Sequence, residues 1–186
     1  MEASVDEAVR DAYRRRWGEP AREAVFERAG HKIRVFKWTP ESSQEGVFLY
    51  ATLGASTIAD EAHRVEYLMG LIPERDSIAS HLASLALYAH ELETSLNHGH
   101  TVPGEEALWA GTAMDHLLVV RQAHSVIEPV PVTKSAHVEF MHVIPIFEDE
   151  VRFKAEHGIE ALLSYWRSQG VPFWDSTRLH PSVPHI

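Results

Sequence analysis

The 186-residue chain contains no cysteine, which excludes disulfides, thiolate metal sites and a cysteine nucleophile. It also lacks any run of about 18 uncharged apolar residues, the length a membrane-spanning helix needs. The N-terminal "MEASVDEAVRDAYRRRW" carries acidic residues where a secretory signal needs a cationic start and then an apolar stretch, so a cytoplasmic protein is expected. A basic excess is missing too: the formal charge is -10 with histidine neutral, which disfavours broad attraction to nucleic acid or anionic lipid. Catalytic signatures are equally scarce. There is no G-x-S-x-G elbow, no phosphate-binding G-x-x-x-x-G-K, no G-x-G-x-x-G and no H-E-x-x-H. In "HELETSLNHGH", His90 and Glu91 lack the second histidine at the fifth position.

What is present is an apolar content of 45%, enough in a chain of this length for one sizeable core, and thirteen histidines. Ser4 and Glu7 form a capping box for a first helix whose apolar stripe is Val5, Val9, Ala12, Tyr13 and Trp17, stopped by Gly18 and Pro20. "HKIRVFKW" (31 to 38) alternates like a half-buried strand, and "GVFLYATLG" (46 to 54) is apolar enough for a central one. The polar "TPESSQE" between them suits a hairpin or longer loop. "HRVEYLMGLI" (63 to 72) follows as a third strand, with Val65, Tyr67, Met69 and Leu71 on one face and Arg64, Glu66 and Leu68 on the other. From Asp76 to Asn97 apolar residues recur at spacings of three and four, predicting a long helix closed by Gly99. A turn-rich stretch, a short strand at 115 to 124 and a strong strand at 136 to 147 come next, and two helices each ending at a glycine close the pattern. The order predicts an α+β fold, a mostly antiparallel or mixed sheet flanked by helices, as one domain over 1–170 with an irregular tail over 171–186 pinned by Phe173 and Trp174.

Several residues invite a chemical role. His98 and His100, two apart, could share a metal on an extended segment, yet Asn97 and Gly99 mark a helix end and turn there, so no metal is assigned. His137 and Glu139 fall on one face of the last strand and His142 on the other, so the three cannot form one site on a regular strand. Ser56 has many histidines to choose from, which discriminates nothing, because a nucleophile needs a base within hydrogen-bond reach. Glu66 could meet Glu139 across neighbouring strands and act as an acid, or pair with Arg64 or another cation. A metal- or carboxylate-dependent hydrolase using His98, His100, Glu66 or Glu139 is the enzymatic alternative.

Taken in order, "YATLGAS" at 50, "HRVEYLMG" at 63, the helix from 76, "GHTVPG" at 99, "DHLLVV" at 115 and "VEFMHVIPIFEDEVRFKAEHGIEALLSYW" at 138 resemble the Suppressor of fused domain family, its bacterial members most of all. The likeness rests on Gly54 to Ser56, Glu66, Gly99 to Thr101, and Pro145 and Ile146 before Glu148 and Glu150. It implies a non-enzymatic protein-binding domain without a cofactor. Bacterial relatives look like immunity proteins that neutralise a cognate toxin, and the animal relative clamps an extended peptide, a mode of strand addition. Gly54, Ser56, Arg64, Glu66, His98 and His100, with the loop from Gly54 to Ala62, are the expected partner-binding residues for a toxin domain or an extended peptide.

Overall fold

The computed structural model describes residues 4–28, 30–58, 63–91, 96–122, 126–133 and 135–184. Along the chain run α1 (Val5–Trp17), β1 (Arg22–Arg28), β2 (His31–Trp38), α2 (Pro40–Ser43), β3 (Phe48–Leu53), α3 (Ala55–Ile58), β4 (Arg64–Leu71), α4 (Ile78–Glu91), β5 (Thr101–Pro103), β6 (His116–Arg121), β7 (Val130–Pro131), β8 (His137–Ile146), α5 (Glu148–His157) and α6 (Ile159–Gln169). The fold is α+β. One mixed sheet has the order β1-β2-β3-β4-β8-β6-β5, with β7 paired to β8 off that path. β1 to β4 form an antiparallel meander, β8 lies antiparallel to β6, and the two halves join through the parallel pair β4–β8.

Helices cover both faces of the sheet, which is why β3 and β4 read as nearly continuous apolar runs. On one face α4 buries Ile78, Leu82 and Leu85 against Val35, Tyr50, Tyr67, Met69 and Val143. The opposite face is covered in two pieces. α1 lays Val9, Tyr13 and Trp17 over Phe36, Trp38, Ala51, Leu68 and Phe140. α5 and α6 lay Phe153, Leu162 and Trp166 over Leu118, Val120, Ile144 and Ile146. α1 is capped as its sequence predicts: Ser4 Oγ accepts from Glu7 N–H at 3.2 Å and Glu7 Oε2 accepts from Ser4 N–H at 2.9 Å. Its Tyr13 packs among Trp17, Phe36 and Trp38 with ring centroids 5.5 to 6.3 Å apart. Burying side chains of this size stabilises the fold by about 1.5–3 kcal/mol each.

The structure corrects several expectations. Residues 22–28 form a strand that the sequence did not announce, because an edge strand wet on both sides has no apolar alternation; its Val25 is 52% exposed. The polar link after β2 holds a short helix, α2, capped by Thr39, and the turn after Gly54 opens another, α3. Gly99 does not close α4: Leu96 and Asn97 are already non-helical, and the Gly99 N–H bonds to Val119 O at 2.8 Å, turning the chain into β5. Leu92 of the expected helix and Ala62 of the expected loop lie outside the described residues. After α6 the described residues of the tail form no helix or strand beyond an isolated bridge between Asp175 and Ile72, and polar contacts fasten them. Arg178 pairs with Glu150 where both side chains are buried (6% and 0% exposed), Ser182 N–H reaches Glu150 Oε1 at 3.2 Å, and Ser176 N–H bonds to Ile72 O at 2.8 Å.

Candidate functional site

The turn leaving β3 is built around glycine and a carboxylate. Gly54 has φ +109°, and a Cβ there would sit 2.7 Å from Lys32 O, so no other residue fits without moving backbone. Directly after it, the N–H groups of Gly54 and Ser56 both point at Glu66 Oε1, at 3.0 Å each, and Ser56 Oγ donates to the same oxygen at 2.7 Å. Thr52 Oγ1 donates to Glu66 Oε2 at 2.6 Å and itself accepts from Tyr67 N–H at 2.8 Å. N–H groups two residues apart that face one oxygen make an anion-binding nest, and here a side chain from the neighbouring strand fills it. Arg64 does not supply the counter-charge. Its Nη1 donates to Ser56 O at 3.0 Å, and among the described residues no Lys, Arg or His nitrogen ion-pairs with Glu66.

Burial raises the Glu66 pKa, while the bonds from Ser56, Thr52 and Gly54 pull it back down. With 0% exposure and both oxygens engaged, the carboxylate has no lone pair open to water or substrate. The expected meeting with Glu139 does not occur. The β4–β8 register sets Glu66 beside Phe140 and Glu139 beside Val65, on opposite faces, and Glu139 Oε1 instead faces His137 Nε2 at 3.1 Å. Next to this network Tyr13 Oη donates to Thr52 O at 2.8 Å, tying α1 to the same turn. Burial, and secondarily the charge of Glu66, keep the Tyr13 pKa well above its usual value.

His98 and His100 lie at the corner entering β5. His98 Nδ1 accepts from Arg121 N–H at 3.1 Å, its Nε2 faces Glu160 Oε1 at 3.0 Å, and His100 Nδ1 accepts from Asn97 N–H at 3.2 Å. Lys154 Nζ reaches Gly99 O at 2.6 Å and also holds Thr101 Oγ1. None of these bonds involves Glu66 or Glu139, so the structure does not gather the residues of the hydrolase alternative. Among the described residues the grouping suited to a cation is a different one: Asp115, His116 and Glu148 bring ligand atoms within 4.8 Å of one another. His116 Nδ1 stands 2.7 Å from Asp115 Oδ1 and its Nε2 3.5 Å from Glu148 Oε2, so both ring nitrogens already face carboxylates, binding the start of β6 to the first turn of α5.

A second polar knot lies at the other end of β2 and β3. Lys37, 7% exposed, donates to Glu74 and, at 2.5 Å, to Asp76 Oδ1, while Arg22 reaches Asp76 Oδ2 at 2.7 Å. Burial alone would lower the Lys37 pKa, but the two carboxylates together raise it. Neither this knot nor the Glu150–Arg178 pair carries a local signal in sequence, since their partners are 28 or more residues apart. Finally, a cleft of about 790 Å³ opens on the sheet face opposite α4, between the part covered by α1 and the part covered by α6.

Fold and site together define an α+β domain on a single mixed sheet, in which the fully buried Glu66 is consumed in holding a turn. A family model described as Suppressor of fused protein (SUFU) matches residues 30–179, and the chain belongs to that family. Solved structures agree on the fold. A SUFU homolog from Neisseria gonorrhoeae superposes with a TM-score of 0.74 at 16% identity, covering 98% of each chain. A chain of the Sufu–Fu complex gives 0.70 at 15% identity over 96% of this chain and 90% of that one. Drosophila Suppressor of Fused gives 0.67 at 13% identity, and there the present chain spans only 50% of the larger protein. No curated protein matches the chain by sequence.

Proposed function

We propose that this chain is a non-catalytic protein-binding domain that acts in the cytoplasm as the immunity partner of a toxin domain. The observation that carries the non-catalytic half is Glu66: an acid or base must present a lone pair to its substrate, and this carboxylate spends both oxygens on Thr52, Gly54 and Ser56 at 0% exposure. Family membership supports the binding half, as does the likeness to a Sufu chain solved in complex with Fu. The sheet leaves two edges, β1 and the three-residue β5, where a partner strand can add to open N–H and C=O groups. Arg64, the Gly54 turn and the His98–His100 corner then act by shaping the ends of β4 and β5.

Co-expression with the product of the adjacent gene tests this directly. The expected result is rescue of toxin-arrested growth and a stoichiometric complex on gel filtration. Absence of any complex, together with turnover of a small molecule by the purified chain, would overturn it.

A further inference from the structure

The cleft has a defined floor. In the β3–β4, β4–β8 and β8–β6 pairings, Ala51 stands beside Leu68, Leu68 beside His142, and His142 beside Val120, so one row crosses four strands with His142 as its polar member. Ala51 and Leu68 belong to the core under α1, and Val120 to the core under α6; His142 lies in the gap between them. One wall is aromatic: Phe173 lies 5.8 Å from the His142 ring and 6.2 Å from Trp166, and Trp174 beside it is 41% exposed.

Most polar side chains around the cleft are already committed. Glu45 is held by Arg16 at 2.5 Å and by Trp17 Nε1 at 2.8 Å. The Gln122 amide is spent on Ile127, donating to its O at 2.5 Å and accepting from its N–H at 3.2 Å. Arg121 pairs with Met141, a member of the core under α4, so its side chain belongs to the other face of the sheet. Arg167 is exposed to solvent. His142 differs from all of these. It is half-buried in the floor, and neither ring nitrogen has a hydrogen-bond partner among the described residues. Burial pushes its pKa down to about 4, so near neutral pH the ring carries one N–H donor and one bare nitrogen. A desolvated imidazole with both nitrogens idle is a polar demand that the chain leaves open.

That demand selects the occupant. An extended peptide would bring an N–H and a C=O per residue onto a floor whose four strands are each already paired on both sides. A carboxylate would give up its water beside Arg167, a cation that is itself exposed. A neutral hydroxyl brings neither surplus, and it can donate to the bare nitrogen or accept from the N–H. The cleft volume of about 790 Å³ falls in the usual span of small-ligand sites, about 300–1,000 Å³. Going beyond the protein-binding reading and independently of it, we propose that the cleft binds a small, neutral, largely aromatic or apolar molecule bearing a hydroxyl group. The hydroxyl sits on His142, and the apolar body lies over Leu68 and Val120 against Phe173 and Trp166.

Three probes of one shape, 2-naphthol, naphthalene and 2-naphthoate, test this by nuclear magnetic resonance on the full chain labelled with nitrogen-15. Saturable shifts are expected from 2-naphthol at the amides of Leu68, Val120 and His142 and at the His142 ring nitrogens. It should bind about three- to tenfold tighter than naphthalene, the net worth of one hydrogen bond, and tighter than 2-naphthoate. H142L keeps the floor apolar and should erase the advantage of 2-naphthol while naphthalene still binds. F173A should weaken both neutral probes alike, by about threefold or more. The inference is overturned by an absence of saturable shifts, by equal affinities of 2-naphthol and naphthalene for the parent, by a preference for 2-naphthoate, or by a hydroxyl preference that survives in H142L. A dodecapeptide selected on phage that shifts these amides when 2-naphthol does not also overturns it, since it names a protein segment as the occupant.

Discussion

Replacing Glu66 is the most direct way to measure what the buried carboxylate does. In E66A the N–H groups of Gly54 and Ser56 lose their acceptor at a site with 0% exposure. At about 1–3 kcal/mol per buried orphan the two N–H groups alone cost about 2–6 kcal/mol. The lost methylene adds to this, and release of the desolvation that raises the Glu66 pKa subtracts from it, leaving an expected loss of about 3–5 kcal/mol. For a chain of this size that corresponds to a fall in Tm of about 6–20 °C. E66Q should cost only about 1–2 kcal/mol, because the amide oxygen can still take the three donors at the Oε1 position and only Thr52 must reverse its bond. A further signature is pH. Since the folded pKa is raised, the contribution of the carboxyl is fully present below its ordinary value of 4.5 and declines as pH rises through the folded value, so the deficit of E66Q should shrink on that climb. Urea unfolding followed by circular dichroism reads all three quantities. A loss under about 1 kcal/mol in E66A, or equal losses in E66A and E66Q, would refute the anchoring role.

Three other outcomes follow from the geometry. Burial holds the His142 pKa down to about 4, so its contribution is present above its ordinary 6.5 and is lost as pH falls from there towards 4; the parent should lose up to about 3 kcal/mol over this window, less the screening by cleft solvent, and H142L should lose that pH slope in urea unfolding. R178A strands the Glu150 carboxylate at 0% exposure and should cost about 3–5 kcal/mol in the same assay while opening the tail to limited proteolysis, whereas a loss below about 1 kcal/mol would show that the tail is fastened elsewhere. G54A, with its Cβ 2.7 Å from Lys32 O, should cost about 3 kcal/mol, and G111A, which has positive φ but no atom within 4 Å, about 1; equal losses measured by thermal melting would mean that φ alone matters at Gly54.

Much of the fold is legible because local chemistry and tertiary packing agree. The capping box at Ser4, the apolar stripe from Val9 to Trp17 and the alternation from Val65 to Leu71 reappear as α1 and as the two faces of β4. β1 is illegible for the opposite reason: "REAVFER" buries little on either side, so no period marks it. α2 and α3 are single turns, too short to establish any stripe. At the site, sequence singles out Gly54, Ser56 and Glu66 but not what joins them, since bonds across 10 to 14 residues depend on strand pairing. His142 is placed correctly on the face away from His137 and Glu139, yet its isolation in the middle of a row becomes visible only once the registers of β4, β8 and β6 are known.

The single parallel pair of strands among the described residues also sets an order of assembly. β1 to β4 are consecutive and antiparallel, so their contacts close short loops and form early, within the first 71 residues to leave a ribosome. β4 pairs with β8 across 74 residues, as in Arg64 with Val138, and that ladder must wait for the last strand. Until then the edge of β4 that faces β8 is an open template, with the backbone groups of Arg64 to Leu68 along it. A chain truncated before residue 137 therefore keeps a complete meander with an apolar unpaired border, the kind of species that chaperones retain and that aggregates when they do not.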